Sequence, residues 1–234
     1  MSTGALVQGV RGRIVSEITE VAVAYLLIEV ALWSPRSAQI AWAAALAGWV
    51  IWSIQRSTRT ASELGITAAG LWPSLWIVGA AAVASGLTIS GACYIGGIRA
   101  LQFDRPLWHA LAYSLWALVQ QFLAQSFIFV RLESALGGRL AIAGAALLFA
   151  VAHIPNLVLM PATLVGGVIF GLAFRRYRNI YTLGLAHALF GLTLAVSLPA
   201  SATHHMRVGA AYGSGFSDNH AMFRVDRQQQ NRSK

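Results

Sequence analysis

Val119-Gln120-Gln121-Phe122-Leu123-Ala124-Gln125 sets three amides in the middle of a largely apolar run that extends from Leu107 to Leu132. A run of this length is read as a helix long enough to cross the bilayer, whose hydrocarbon core needs about 20 apolar residues. A polar side chain held in hydrocarbon is costly, so an amide kept there usually has a job. Two later apolar stretches each carry one histidine, His153 and His187. These positions are the first candidates for function.

The rest of the chain has the same character. Of its 234 residues 57% are hydrophobic and 11% are charged, with eight Trp, which is not the balance of a soluble domain. Apolar spans are read at Ile14 to Trp33, Ala38 to Ile54, Leu75 to Ile98, Leu107 to Leu132, Leu140 to His153, Leu157 to Phe174 and Ile180 to Leu198. The expected fold is therefore all-α, a polytopic transmembrane bundle of seven to eight helices. Residues 1–198 form one transmembrane domain, and 199–234 are expected to be a polar, mobile tail. The span ending at His153 is short because Pro155 disfavours helix just before itself. Ser57 to Pro73 has no long apolar run and is expected to lie along the interface. The N-terminus lacks the short apolar core and small-residue cleavage site of a signal peptide, so the first span is expected to be retained. Cys93 is the single cysteine, which excludes an intrachain disulfide and a thiolate metal cage.

Charge gives an orientation. Arg11, Arg13, Arg56, Arg59, Arg131, Arg139 and the cluster Arg175-Arg176-Tyr177-Arg178 fall on one side of the spans; Arg36, Arg99 and Arg105 fall on the other. The richer side is expected to be cytoplasmic, with the N-terminus inside. The net charge of +9 is this topology signal plus a basic tail, and no nucleic-acid partner is expected. The expected surroundings are the lipid bilayer, in a bacterial cytoplasmic membrane.

Depth decides whether scattered polar residues can meet. At 1.5 Å rise per residue, Gln120 lies roughly 18 Å above the cytoplasmic end of its helix, His153 roughly 20 Å and His187 roughly 13 Å above theirs. These three can share one layer near mid-membrane. Gln121 and Gln125, four apart, lie on one face, and Gln120 is rotated by about 100°. The bland alternative is interhelical glue, at about 0.6 to 2 kcal/mol per hydrogen bond, and it fits Gln125 best. His109 near a helix end and His204, His205 and His220 in the tail are read as solvated or interfacial, as are Glu17 and Glu20. Glu29, deep in the first span, is either a protonated packing donor or an acid. Gly166, Gly167 and Gly171 read as a helix-packing face.

With these residues in place, Trp108 to Leu198 resembles the CPBP membrane proteins, which include the CAAX prenyl endopeptidases and bacterial bacteriocin-processing and immunity proteins. Their motifs look like E-E-x-x-x-R, F-x-x-x-H and H-x-x-x-N or D. Here the first stands as Gln120-Gln121-Phe122-Leu123-Ala124-Gln125, the second intact as Phe149-Ala150-Val151-Ala152-His153, and the third as His187-Ala188-Leu189-Phe190-Gly191. The basic turn Arg175 to Arg178 and the run Asn179 to Leu185 also match the family's lead-in to the third motif.

The resemblance implies water activation by a glutamate and histidines for peptide hydrolysis, with the final Asn helping to hold the oxyanion. A carboxylate takes a proton from water, whereas an amide has no accessible titration. Gln120 and Gln121 thus remove the expected base, Gln125 its charged partner, and Gly191 a donor. Three functions remain open. One is a peptidase whose base is a histidine, since His titrates near neutrality, or whose carboxylate is Glu29. Another is non-hydrolytic acid/base chemistry, isomerisation or cyclisation, on an isoprenoid or other lipid; in either enzyme reading the expected partner is a hydrophobic or prenylated substrate. The last is a catalytically silent immunity or assembly factor. The candidate catalytic set is His153, His187, Gln120, Gln121 and Glu29, with no cofactor and no metal, because two histidines make only half a usual zinc set.

Overall fold

The computed structural model describes residues 3–98 and 106–213, and every regular element among them is helical. Helix α1 spans Thr3–Trp33, α2 Arg36–Arg56, α3 Leu71–Tyr94 and α4 Pro106–Gln121. A π-helical segment, Phe122–Phe129, joins α4 to α5 (Val130–Leu136), and α6 (Gly138–Val151), α7 (Leu159–Tyr177) and α8 (Ile180–Ser197) follow. Five stretches are long and apolar enough to cross a membrane: Arg36–Arg56, Leu71–Tyr94, Leu107–Leu136, Leu159–Tyr177 and Ile180–Ser197. Gly138–Val151 is a shorter apolar helix. α1, interrupted by three glutamates, is not among the five. The outer surface is hydrocarbon, with Ile40 80%, Trp72 78%, Leu107 80% and Leu157 80% exposed. Such a surface is a liability in water and a match for lipid.

Close helix approach rests on small residues. A side chain at Gly167 of α7 would stand 2.9 Å from Ala146 Cα of α6, and one at Gly184 of α8 would stand 2.9 Å from Leu118 Cδ1 of α4. Between lipid-facing helices, where burial of apolar surface gains little, such backbone proximity supplies the packing energy. α6 therefore packs on α7, and α8 lies against both α3 and α4. Phe127, Phe129 and Phe174 fill the core, with Phe129 and Phe174 edge-to-face at 5.8 Å.

Several expectations need correction. Glu17 and Glu20 are not simply solvated: Glu17 pairs with Arg59, and Glu20 accepts from Arg131 Nε at 2.8 Å and from Ser53 Oγ. Arg131 is no loop charge. Its side chain is fully buried, lies 3.7 Å from the Phe127 ring centre and donates to Ser53 Oγ at 2.6 Å. The 57–70 segment does not merely lie along the interface, since its carbonyls are bound from inside the bundle. Ser126 Oγ donates to Leu64 O at 2.5 Å, Asn179 Nδ2 to Thr67 O at 3.0 Å, and Ile180 N to Gly65 O at 3.0 Å.

The start of the expected tail is also ordered locally. Residues 199–213 form a short helix, Ala200–Thr203, and two tight turns. The fully buried Asn156 donates to Thr203 O at 2.8 Å and Arg207 O at 3.1 Å, and Gly209 N donates to Ile154 O at 2.8 Å. His204 stacks on Tyr212 at 4.0 Å. His220 and the rest of the tail lie outside the described residues.

Candidate functional site

Helices α1, α4, α6 and α8 bring most of the candidate residues together. α4 and α8 run antiparallel, with Leu118 opposite Gly184 and Tyr113 opposite Gly191. Side chains tilt toward the start of their own helix, so in an antiparallel pair Gln121 and His187 lean toward each other. Gln121 Nε2 stands 3.2 Å from His187 Nδ1, and Gln121 is fully buried. With the amide nitrogen facing the ring, Nδ1 accepts and the neutral imidazole carries its proton on Nε2.

His153 is held from its own chain. Its Nδ1 lies 2.6 Å from Phe149 O, one turn earlier on α6. A carbonyl oxygen only accepts, so Nδ1 carries the proton and the neutral ring presents a lone pair at Nε2. The two imidazoles thus differ: one offers a base, the other a donor. Phe149 stands edge-to-face to both, at 5.0 Å from the His153 ring and 5.7 Å from that of His187, and Phe170 of α7 lies 6.1 Å from His187. His153 and His187 lie within electrostatic reach of one another.

Glu29 joins from α1. It is half-buried, stands beside Tyr25 and within electrostatic reach of His153, and accepts from Trp33 Nε1 at 3.2 Å through Oε2. Its Oε1 is buried without a hydrogen-bond partner. Tyr25 in turn donates to Leu148 O at 3.1 Å, tying α1 to α6 beside Phe149.

Gln120 is the candidate that the bundle does not bring to an imidazole. It is half-buried, makes no hydrogen bond to either ring, and its Oε1 is buried without a partner. The amide oxygens of Gln121 and Gln125 are likewise unpartnered. Gln125 lies in the π segment, only 2% exposed; such widened turns are frequent at functional sites. Three partnerless oxygens in one stretch are spare acceptor capacity, in contrast to the usual satisfied interior. Among the described residues no three His, Cys, Asp or Glu side chains form a group able to hold a metal ion.

Two features escaped the sequence. Tyr113 fills the space beside Gly191, and Asn156 starts α7 by accepting from Val158 N at 3.2 Å and Leu159 N at 3.0 Å while binding the 203–207 backbone. Asn-Leu two residues before an apolar run is a helix-start signal, but nothing local announces the second role. A separate cleft of about 340 Å³ opens beside Arg59, Glu63, Glu133 and Arg178, among the ion pairs.

The fold and this layer of amides and imidazoles define an integral membrane protein with a polar centre inside a helical bundle. Residues 102–193 match the family model described as type II CAAX prenyl endopeptidase Rce1-like. Those residues carry the three motifs and are similar to the Rce1-like, CPBP-type membrane proteins. No curated protein and no solved structure matches the chain.

Proposed function

We propose that this protein is an intramembrane hydrolase of the CAAX-endopeptidase type in which His153 and Glu29 activate the water. They take the place of a carboxylate at position 120 or 121. The observation that carries the reading is the His153 imidazole, whose Nε2 lone pair is left free by the Phe149 carbonyl, with the buried, unpartnered Glu29 Oε1 on α1 as the carboxyl available to it. In the proposed step Nε2 takes a proton from water as the water oxygen attacks the scissile carbonyl. Glu29 steadies the imidazolium, and the same proton then passes to the departing amine nitrogen. Gln121 keeps His187 oriented with Nε2–H toward the reacting centre. The substrate is a hydrophobic or prenylated membrane-tethered peptide, reached from a bacterial cytoplasmic membrane in which the N-terminus faces the cytoplasm.

The test is cleavage of a prenylated, membrane-tethered peptide in proteoliposomes. The wild type releases the fragment, and His153→Ala and Glu29→Gln each lower the rate about 10²- to 10⁴-fold, the usual contribution of a positioned base. Cleavage that survives either substitution, or no cleavage by the wild type, removes the reading.

One observation favours a second reading. Phe149 and Phe170 set aromatic rings beside the two imidazoles, and ring faces stabilise positive charge, as isomerisation or cyclisation of an isoprenoid requires. Lipid extracted from the purified protein distinguishes the two. A bound isoprenoid supports this chemistry, and an empty extract counts against it.

A further inference from the structure

Gly191 stands one helical turn beyond His187, on the same face of α8. The space that its side chain would occupy is already taken. A Cβ built at Gly191 would stand 1.8 Å from Tyr113 Oη and 2.6 Å from Tyr113 Cζ. The phenol reaches across from α4, whose Tyr113, Ala117 and Gln121 recur at four-residue spacing toward α8. Ala117 is fully buried, so the helices close tightly between the hydroxyl and the Gln121–His187 contact. The Tyr113 ring is half-buried, and its hydroxyl makes no hydrogen bond among the described residues. The hydroxyl is not among the fully buried oxygens that lack a partner, and a phenol O–H normally finds a partner when it is buried, so an accessible, unengaged O–H one turn from His187 is a donor open to a substrate.

We propose that the Tyr113 hydroxyl is the hydrogen-bond donor for the negative charge that develops on the substrate carbonyl oxygen, supplied from α4 through the room left by the missing side chain at Gly191. The inference rests on the hydrolase reading above and deepens it. A neutral O–H fixed before the reaction stabilises an oxyanion without reorganising. It leaves the ground-state amide nearly unaffected, and that difference separates it from a ring that only packs.

Two probes test it: a prenylated peptide carrying a tetrahedral, anionic phosphonate at the scissile position, and the parent peptide amide. In proteoliposomes Tyr113→Phe keeps the ring, its KM and its affinity for the parent amide. It lowers kcat about 10²-fold, as loss of one oxyanion donor does, and lowers phosphonate affinity by a similar factor. The hydroxyl is also replaceable from the other helix. Tyr113→Ala clears the space, and adding Gly191→Ser puts a hydroxyl beside the vacated position, recovering part of kcat that Tyr113→Ala with Gly191→Ala does not.

Equal losses for both probes in Tyr113→Phe, an unchanged kcat, or equal affinity of the wild type for the two probes overturns the proposal. A wild type that cleaves nothing but prefers the phosphonate in a Tyr113-dependent way sinks the hydrolase reading and leaves the donor standing. Cleavage that depends on His153 but not on the Tyr113 hydroxyl does the reverse.

Discussion

The protein holds two polar clusters of opposite kind. Where the middle of α1 meets the end of α2 and the start of α5, Glu17, Glu20, Ser53, Arg59 and Arg131 form a charged knot, and Glu133 takes Arg178 and Arg175 beside it. Within the bundle, Gln121, His153 and His187 form a neutral layer. In the knot Glu17 and Glu20 each meet an arginine, as a buried ion must, although Glu17 leaves Oε2 without a hydrogen-bond partner. In and beside the neutral layer the amide oxygens of Gln120, Gln121 and Gln125 have no partner. A charge buried without a partner would unfold the protein, whereas a neutral amide can keep capacity in reserve. The contrast separates residues that hold the structure from residues available to a substrate.

The knot should break hardest. Arg131→Met leaves Glu20 with only Ser53 and removes the cation beside the Phe127 ring. Truncating one partner of a buried pair costs about 3–5 kcal/mol, so the thermal midpoint in detergent should fall sharply. Adding Glu20→Gln should recover part of the loss, because the stranded carboxylate is then gone. A double variant no more stable than the single would show that packing of the long side chain, and not charge, dominates.

The neutral layer should bend where the knot breaks. Gln121→Leu is close in volume and removes one hydrogen bond, worth about 0.6 to 2 kcal/mol between membrane helices. The fold should survive while the His187 ring loses its orientation. The expected result is a small shift in thermal midpoint with a large fall in turnover of the prenylated peptide. A stability loss as large as that of Arg131→Met would place Gln121 with the structural glue instead.

How much of this contrast was legible beforehand follows from the range of each interaction. Span length and the alternation of arginines are local patterns, and the arginines read as one side do meet: Arg59, Arg131 and Arg178 all sit in or beside the knot. Helical rise put the Gln120–Gln121 pair near the depth of His187, and a 3.2 Å contact spans that gap. The partners of Glu17 and Glu20 were not legible, because Arg59 and Arg131 lie 42 and 111 residues away. For the same reason a glycine at 191 read as a donor lost, although Tyr113 already occupied its space. The π segment had no signal at all in an apolar run with good helix formers.

The gentlest test concerns the rim of the charged region. Thr60-Ala61-Ser62-Glu63 has the pattern of a capping box. Thr60 N donates to Glu63 Oε2 at 2.7 Å and Thr60 Oγ1 donates to the same oxygen at 2.9 Å. These bonds, the backbone N–H foremost, hold the exposed Glu63 carboxyl below its ordinary value of 4.5, with smaller help from Arg59 and Arg178. A depressed folded-state value means that the contribution of Glu63 is fully present above about 4.5 and fades as pH falls through the folded value. Thr60→Val removes the hydroxyl and keeps the N–H. The carboxyl titration, followed by carbon NMR, should therefore move upward but stop short of the ordinary value. A full return would assign the effect to the hydroxyl, and a shift abolished by high salt alone would assign it to the arginines, merging this rim with the knot behind it.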